Sequence, residues 1–111
     1  MAYQNLVPTK LGQAAITGSL ATLYTVPALT RTILKDFDIC NTSGGALTVD
    51  VHLVPSGGSA TTDNALLYGY SINANATLQW TGSQVMNTGD FIRVKASGLG
   101  CSITASGVEG T

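Results

Sequence analysis

Residues 40–60, CNTSGGALTVDVHLVPSGGSA, hold a turn, a strand and a second turn in that order. Leu47, Val49, Val51 and Leu53 occupy one parity, and Thr48, Asp50 and His52 the other. Side chains on a strand alternate between its two faces, so the first set predicts a core face and the second a face turned to water. Asn41 to Gly45 before the strand, and Pro55 to Gly58 after it, are residues that tolerate positive φ or pre-set a turn, which a helix through this region would not accommodate.

Outward from this unit the same grammar repeats. Leu11 to Ile16, Ala21 to Val26 and Leu29 to Cys40 read as strands, with Pro27 separating the last two. In the long one Ile33, Phe37 and Ile39 share a parity, Leu34 and Cys40 take the other, and Lys35 intrudes, which predicts a bulge or a strand covered on both faces. Further on come Asn64 to Ser71, then Ala76 to Thr81 with Leu78 and Trp80 in phase. Next is Phe91 to Ala96, with Ile92, Val94 and Ala96 inward and Phe91, Arg93 and Lys95 outward, and last Cys101 to Ala105, with residues 107–111 extending that edge. About eight short strands, roughly ten residues apart and with no helical period, predict an all-β fold: an antiparallel two-sheet sandwich or jelly roll, with a closed barrel as the alternative. Residues 1–9 carry no periodic pattern and include Pro8, so they are expected as an extended N-terminal arm, leaving 10–111 as a single β-sandwich domain.

Composition narrows the classes of function. The chain has 111 residues, is 44% hydrophobic and only 10% charged, and has a formal net charge of −1. An average globular protein is roughly 25% charged, so this surface must be Thr, Ser, Asn, Gln and Gly. Five Lys and Arg residues cannot make a phosphate-binding patch, and Arg93 with Lys95 read as a solvated or charge-guarded strand face, so nucleic acid is not expected as a partner. No segment approaches the roughly 20 apolar residues of a membrane helix, and the first ten residues lack the basic start and apolar run of a signal peptide, so a soluble protein made in the cytoplasm is expected.

Reactive side chains are sparse. His52 is the only histidine, placed by parity on the water-facing side, where it could still pair with Asp50 or Asp38 across a subunit contact. Asp36 and Asp38 share a parity and could hold calcium only if further oxygen ligands converged; a solvated face is the simpler reading. Gly44-Gly45 and Gly57-Gly58 precede no helix and bring no Lys, so they are turns rather than phosphate loops. Cys40 and Cys101 read as small half-buried residues, with a disulfide between strands as the alternative. Trp80, Tyr68 and Tyr70 could build a sugar platform, although Trp80 in phase with Leu78 belongs more naturally to the core. No residue is assigned as catalytic, cofactor-binding or metal-ligating, and no enzyme is expected.

Seven motifs run through nearly the whole chain after residue 9: TLYTVP (22–27), ICNTSG (39–44), VHLVPSGGSA (51–60), NALL (64–67), TLQW (77–80), GDFIRV (89–94) and SGVE (106–109). In these the chain resembles the small β-sandwich virion proteins of tailed bacteriophages. The resemblance implies a structural component of the virion, trimeric or otherwise symmetric, synthesised in the host cytoplasm and assembled onto the particle. A capsid decoration (cement) protein, contacting the major capsid protein through residues 1–9 and the outward loops, is the leading expectation. A neck, tail or baseplate adaptor or fibre accessory is the alternative, and a carbohydrate-binding module a more distant one. The resemblance brings no catalytic residues, cofactors or metals.

Overall fold

The computed structural model describes residues 5–111. Eight strands follow one another: β1 (Leu6–Ile16), β2 (Ala21–Thr25), β3 (Arg31–Asn41), β4 (Leu47–Val54), β5 (Ala65–Ile72), β6 (Thr77–Met86), β7 (Phe91–Ala96) and β8 (Cys101–Gly110), with one 3-10 turn at Thr62–Asn64. They form two four-stranded antiparallel sheets, in the orders β1-β8-β3-β6 and β2-β7-β4-β5. Strand 1 neighbours 8, 2 neighbours 7, 3 neighbours 6 and 4 neighbours 5, the order obtained by folding one long hairpin over on itself, which is an eight-strand jelly roll. Of the architectures the sequence left open, the closed barrel is excluded.

The strands alternate in direction, so the loops fall at two ends. One end, called here the near end, carries residues 17–20, 42–46, 73–76 and 97–100; the far end carries 26–30, 55–64 and 87–90 together with Asn5 and Thr111. Strands β1 and β2 lie against each other and close one side of the sandwich.

Between the sheets lies one apolar cluster containing Leu11, Ile16, Leu34, Phe37, Ile39, Val49, Val51, Ile72, Met86, Ile92, Val94 and Ile103. The parity read for β7 holds throughout, with Ile92, Val94 and Ala96 buried. In β3 the buried set changes from Thr32 and Leu34 to Phe37, Ile39 and Asn41. The change occurs at a register shift between Leu34 and Asp36 against both β6 and β8, the bulge that Lys35 announces. Trp80 packs on the core and stacks on Phe37, with ring centroids 5.0 Å apart and planes 9° from parallel.

The arm expected over residues 1–9 requires correction where the structure describes it; residues 1–4 lie outside the described residues. Leu6 to Thr9 are the first part of β1 and pair with Gly110 to Gly107 of β8. Pro8 is compatible with this because β1 is an edge strand, where a missing N–H need not interrupt a ladder. Exposure explains the missing period: Leu6, Val7 and Pro8 are all exposed, so no buried side imposes alternation.

Candidate functional site

The polar side chains that could do chemistry are used to hold loops. Asn41 ends β3 fully buried; its amide donates to the carbonyls of Gly45 and Ile72, both at 2.9 Å, and its Oδ1 accepts from Ser43 N at 2.9 Å and Ser43 Oγ at 2.7 Å. All the strong hydrogen-bonding capacity of the amide is satisfied, and the β3–β4 loop is fixed to β5. At the far end Asp90 accepts from Ser56 N at 3.0 Å and from Asn87 N at 2.9 Å, joining two loops. Thr88 Oγ donates to Thr30 O at 2.6 Å and accepts from Thr30 N at 3.3 Å, tying in the third. The far-end loops are therefore a preformed surface, which lowers the ordering entropy lost on contact with a partner.

His52 corrects a second expectation. Its parity is as read, because it pairs with Arg93 on the outer face of the β2-β7-β4-β5 sheet, yet it is only 4% exposed. The long β4–β5 loop covers that face. His52 Nδ1 lies 2.9 Å from Asn64 Oδ1, which also accepts from Thr61 N, while Asn64 Nδ2 donates to Ser59 O. The carbonyl oxygen can only accept, so Nδ1 carries the proton and the ring organises the loop. Tyr68 meets the same ring edge-on at a centroid distance of 6.4 Å.

Trp80 is stacked between the sheets, Tyr68 stands against His52, and Tyr70 borders a depression of about 170 Å³ at the β5–β6 turn, so the structure distributes the three aromatics of the sugar platform over separate surroundings. Asp36 and Asp38 remain on the outer side of β3, and among the described residues no group of three or more His, Cys, Asp or Glu could hold a metal. Asn41, on the inner face, pairs with Cys101, whereas Cys40 pairs with the exposed Ser102. The two thiols thus face opposite sides of one sheet and are free. Burial, and secondarily the nearby Cys40, push the Cys101 thiol up from its ordinary value.

One polar cluster bridges the sheets. Tyr24 of β2 donates to Glu109 Oε2 of β8 at 2.5 Å and lies 2.7 Å from Thr32 Oγ of β3, while Thr9 Oγ, which donates to Val7 O at 2.9 Å, sits 3.5 Å from Glu109 Oε1. Burial, reinforced by the Glu109 carboxylate, pushes the phenol up to about 12. Such a phenol is a poor acid near neutrality and a good fastener. No sequence signal marks it, since its four members come from four strands.

The far end and the sheet face beside it also expose apolar side chains. Leu29, at the tip of the β2–β3 loop, is 88% exposed and holds φ +56, a left-handed conformation uncommon for a branched residue. Leu6 and Val7 start β1 at the same end. On the outer face of the β1-β8-β3-β6 sheet, Pro8, Val108, Ile33 and Val85 are cross-strand neighbours, and Leu6, Arg31, Ile33, Val108 and Gly110 line a depression of about 140 Å³.

No family model matches the chain, and no curated protein matches its sequence. Solved structures do share its fold. A chain in the structure of the infectious bursal disease virus Gx strain matches 96% of this chain with a TM-score of 0.55 and 13% identity. A chain of the T13 particle of the same virus matches 96% with a TM-score of 0.51 and 13% identity. This chain spans 32% and 30% of those chains, about a third of their length. At such identity the likeness is one of fold.

Proposed function

We propose that this protein is a non-enzymatic structural component of a virion, and specifically a capsid decoration (cement) protein of a tailed bacteriophage that docks on the head through its far-end loops and the start of β1. The observation that carries the reading is Leu29. An exposed leucine held at positive φ is unfavourable twice over, in solvation and in backbone conformation, and the Thr30–Thr88 hydrogen bonds hold the neighbouring residue in place. A side chain presented in this way suits an anchor that enters a partner's pocket. The charge-poor surface and the fold shared with chains of a viral particle support the same reading.

Particles lacking this protein test the proposal by co-sedimentation with purified chain. Wild type is expected to bind at saturable, symmetric copy number, and Leu29→Gly to lose about tenfold or more in affinity, the scale of a truncated anchor. Unchanged binding by Leu29→Gly together with Leu6→Ser would refute docking through this end. Binding confined to one copy set per particle would instead favour the neck, tail or baseplate reading.

A further inference from the structure

Two exposed tyrosines of β5, which a regular strand would place on one face, are separated by a bulge. Val49 pairs with Tyr70 and Val51 with Leu67, so Tyr68 and Gly69 both stand against Asp50. Gly69 takes φ +62, and its N–H donates to Asp50 Oδ1 at 2.7 Å. The extra residue leaves Tyr68 on the outer face against His52 and turns Tyr70 to the side of the buried Val49, at the edge of the sandwich. There the edge strands β5 and β6 are joined by the turn at residues 73–76, and the depression of about 170 Å³ opens beside it. Asn41 holds both of its lips: the side-chain amide donates to Ile72 O and the backbone N–H to Ala76 O, each at 2.9 Å. Ala76 N in turn donates to Asn73 O at 3.1 Å, and Asn75 takes a left-handed φ of +61, which asparagine tolerates. The concavity is therefore preformed.

We propose that this depression is a binding subsite for one neutral pyranose ring, the end of a glycan. Tyr70, 48% exposed, offers an aromatic ring on which the C–H face of a sugar can lie, and Leu78 continues the apolar wall. Ser71 and Thr77 supply hydroxyls that both donate and accept, and Asn73 an amide that does each at a separate atom. None of these side chains, nor the Tyr70 hydroxyl, has a hydrogen bond among the described residues, whereas Asn41, Ser43, Thr88 and Asp90 in other loops are committed to the fold. Uncommitted polar groups around an exposed ring, on a frame that needs no ordering, suit a hydroxyl-rich ligand. No charged residue lines the depression, so a phosphate or an acidic sugar finds no counter-charge here. Its size, below the roughly 300 Å³ at which pockets for larger ligands begin, limits it to a single ring. The site lies at the near end, so a chain docked by its far end would hold it away from the shell; that placement, though not the site, rests on the proposed docking.

The test is an NMR chemical-shift titration of free, full-length, isotope-labelled protein with glucose, galactose, mannose and N-acetylglucosamine. Each is taken to about 50 mM, because one small polar ring on an open site is expected to bind with a dissociation constant of about 1–10 mM. At least one of these sugars should produce saturable shifts confined to the amides of residues 70–78 and their neighbours in space. Tyr70→Ala should raise the dissociation constant at least about tenfold, and Asn73→Ala about threefold. Tyr70→Phe keeps the ring and should stay within about threefold of wild type. Tyr68→Ala, which removes the more exposed tyrosine but on the outer face, should change nothing. Unaltered amide shifts of the far-end loops in each variant show that the fold persists. Co-sedimentation with particles reads the far end and should be indifferent to Tyr70→Ala, so the two proposals fail separately. Absence of saturable shifts with every one of these sugars, shifts scattered over the whole surface, or an affinity that ignores Tyr70→Ala each overturn the proposal.

Discussion

Replacing Asn41 by alanine should cost this fold about 3 kcal/mol, far more than a turn asparagine normally contributes. The side chain is fully buried and makes four hydrogen bonds. The bond to Ile72 O is itself buried, and an acceptor left there without a partner costs roughly 1–3 kcal/mol. Water can replace part of the other three, so they add about 0.5 kcal/mol each. Urea unfolding followed by the fluorescence of Trp80, the single tryptophan, measures the sum. With a slope of about 1.5 kcal/mol/M the midpoint should fall by about 2 M without a change of slope. Asn41→Asp, which keeps the volume but loses both donors and buries a charge, should do no better. Thr42→Ala, which removes an exposed 3.1 Å bond to Gly100 O, should cost less than about 1 kcal/mol. If Asn41→Ala shifted the midpoint no more than Thr42→Ala, the loop would not depend on this amide and the reasoning would fail.

Gly107→Ala should be destabilising beyond about 4 kcal/mol, or prevent folding, because the new Cβ would run into the backbone carbonyl of Ile33, whereas Gly44→Ala meets nothing within 4 Å and should be near neutral on thermal melts. Leu29→Gly should raise stability by roughly 1 kcal/mol by releasing the left-handed strain; a loss on chemical denaturation would show that the side chain serves the fold instead. Trp80→Ala should cost about 3 kcal/mol through the lost stacking on Phe37, and a variant as stable as wild type would return Trp80 to the surface and to sugar binding. For Tyr24 the folded value of about 12 lies above the ordinary 10.0, so its contribution is complete below pH 10 and lost as pH rises through 12. An ultraviolet titration should contain a component near pH 12 that Tyr24→Phe abolishes; its persistence in that variant would contradict the assignment.

Strands with one wet and one dry face were legible from alternation alone. β7 falls where Phe91 to Ala96 predict it, and β4 within one residue of its reading. The parts that escaped are those with no such contrast. The first residues of β1 and the second half of β6 are exposed on both sides, so solvent imposes no period on them. His52 failed for the opposite reason: alternation assigns a face correctly but cannot foresee that a distant loop folds over it. Asn41 looks in sequence like any turn residue between a strand and Gly44-Gly45, and only the position of β5 turns it into a buried hub. The Tyr24–Glu109–Thr32 cluster needs residues up to 85 positions apart, which is information of topology rather than of pattern.

The central claim, a structural place on the head of a virus particle, is tested most directly by cryo-electron microscopy of particles with and without this protein. The account predicts difference density repeated over the capsid surface at symmetric positions, into which the 49 × 26 × 18 Å jelly roll fits with its far end against the shell. Identical particles, or difference density limited to the neck, tail or baseplate, would contradict it.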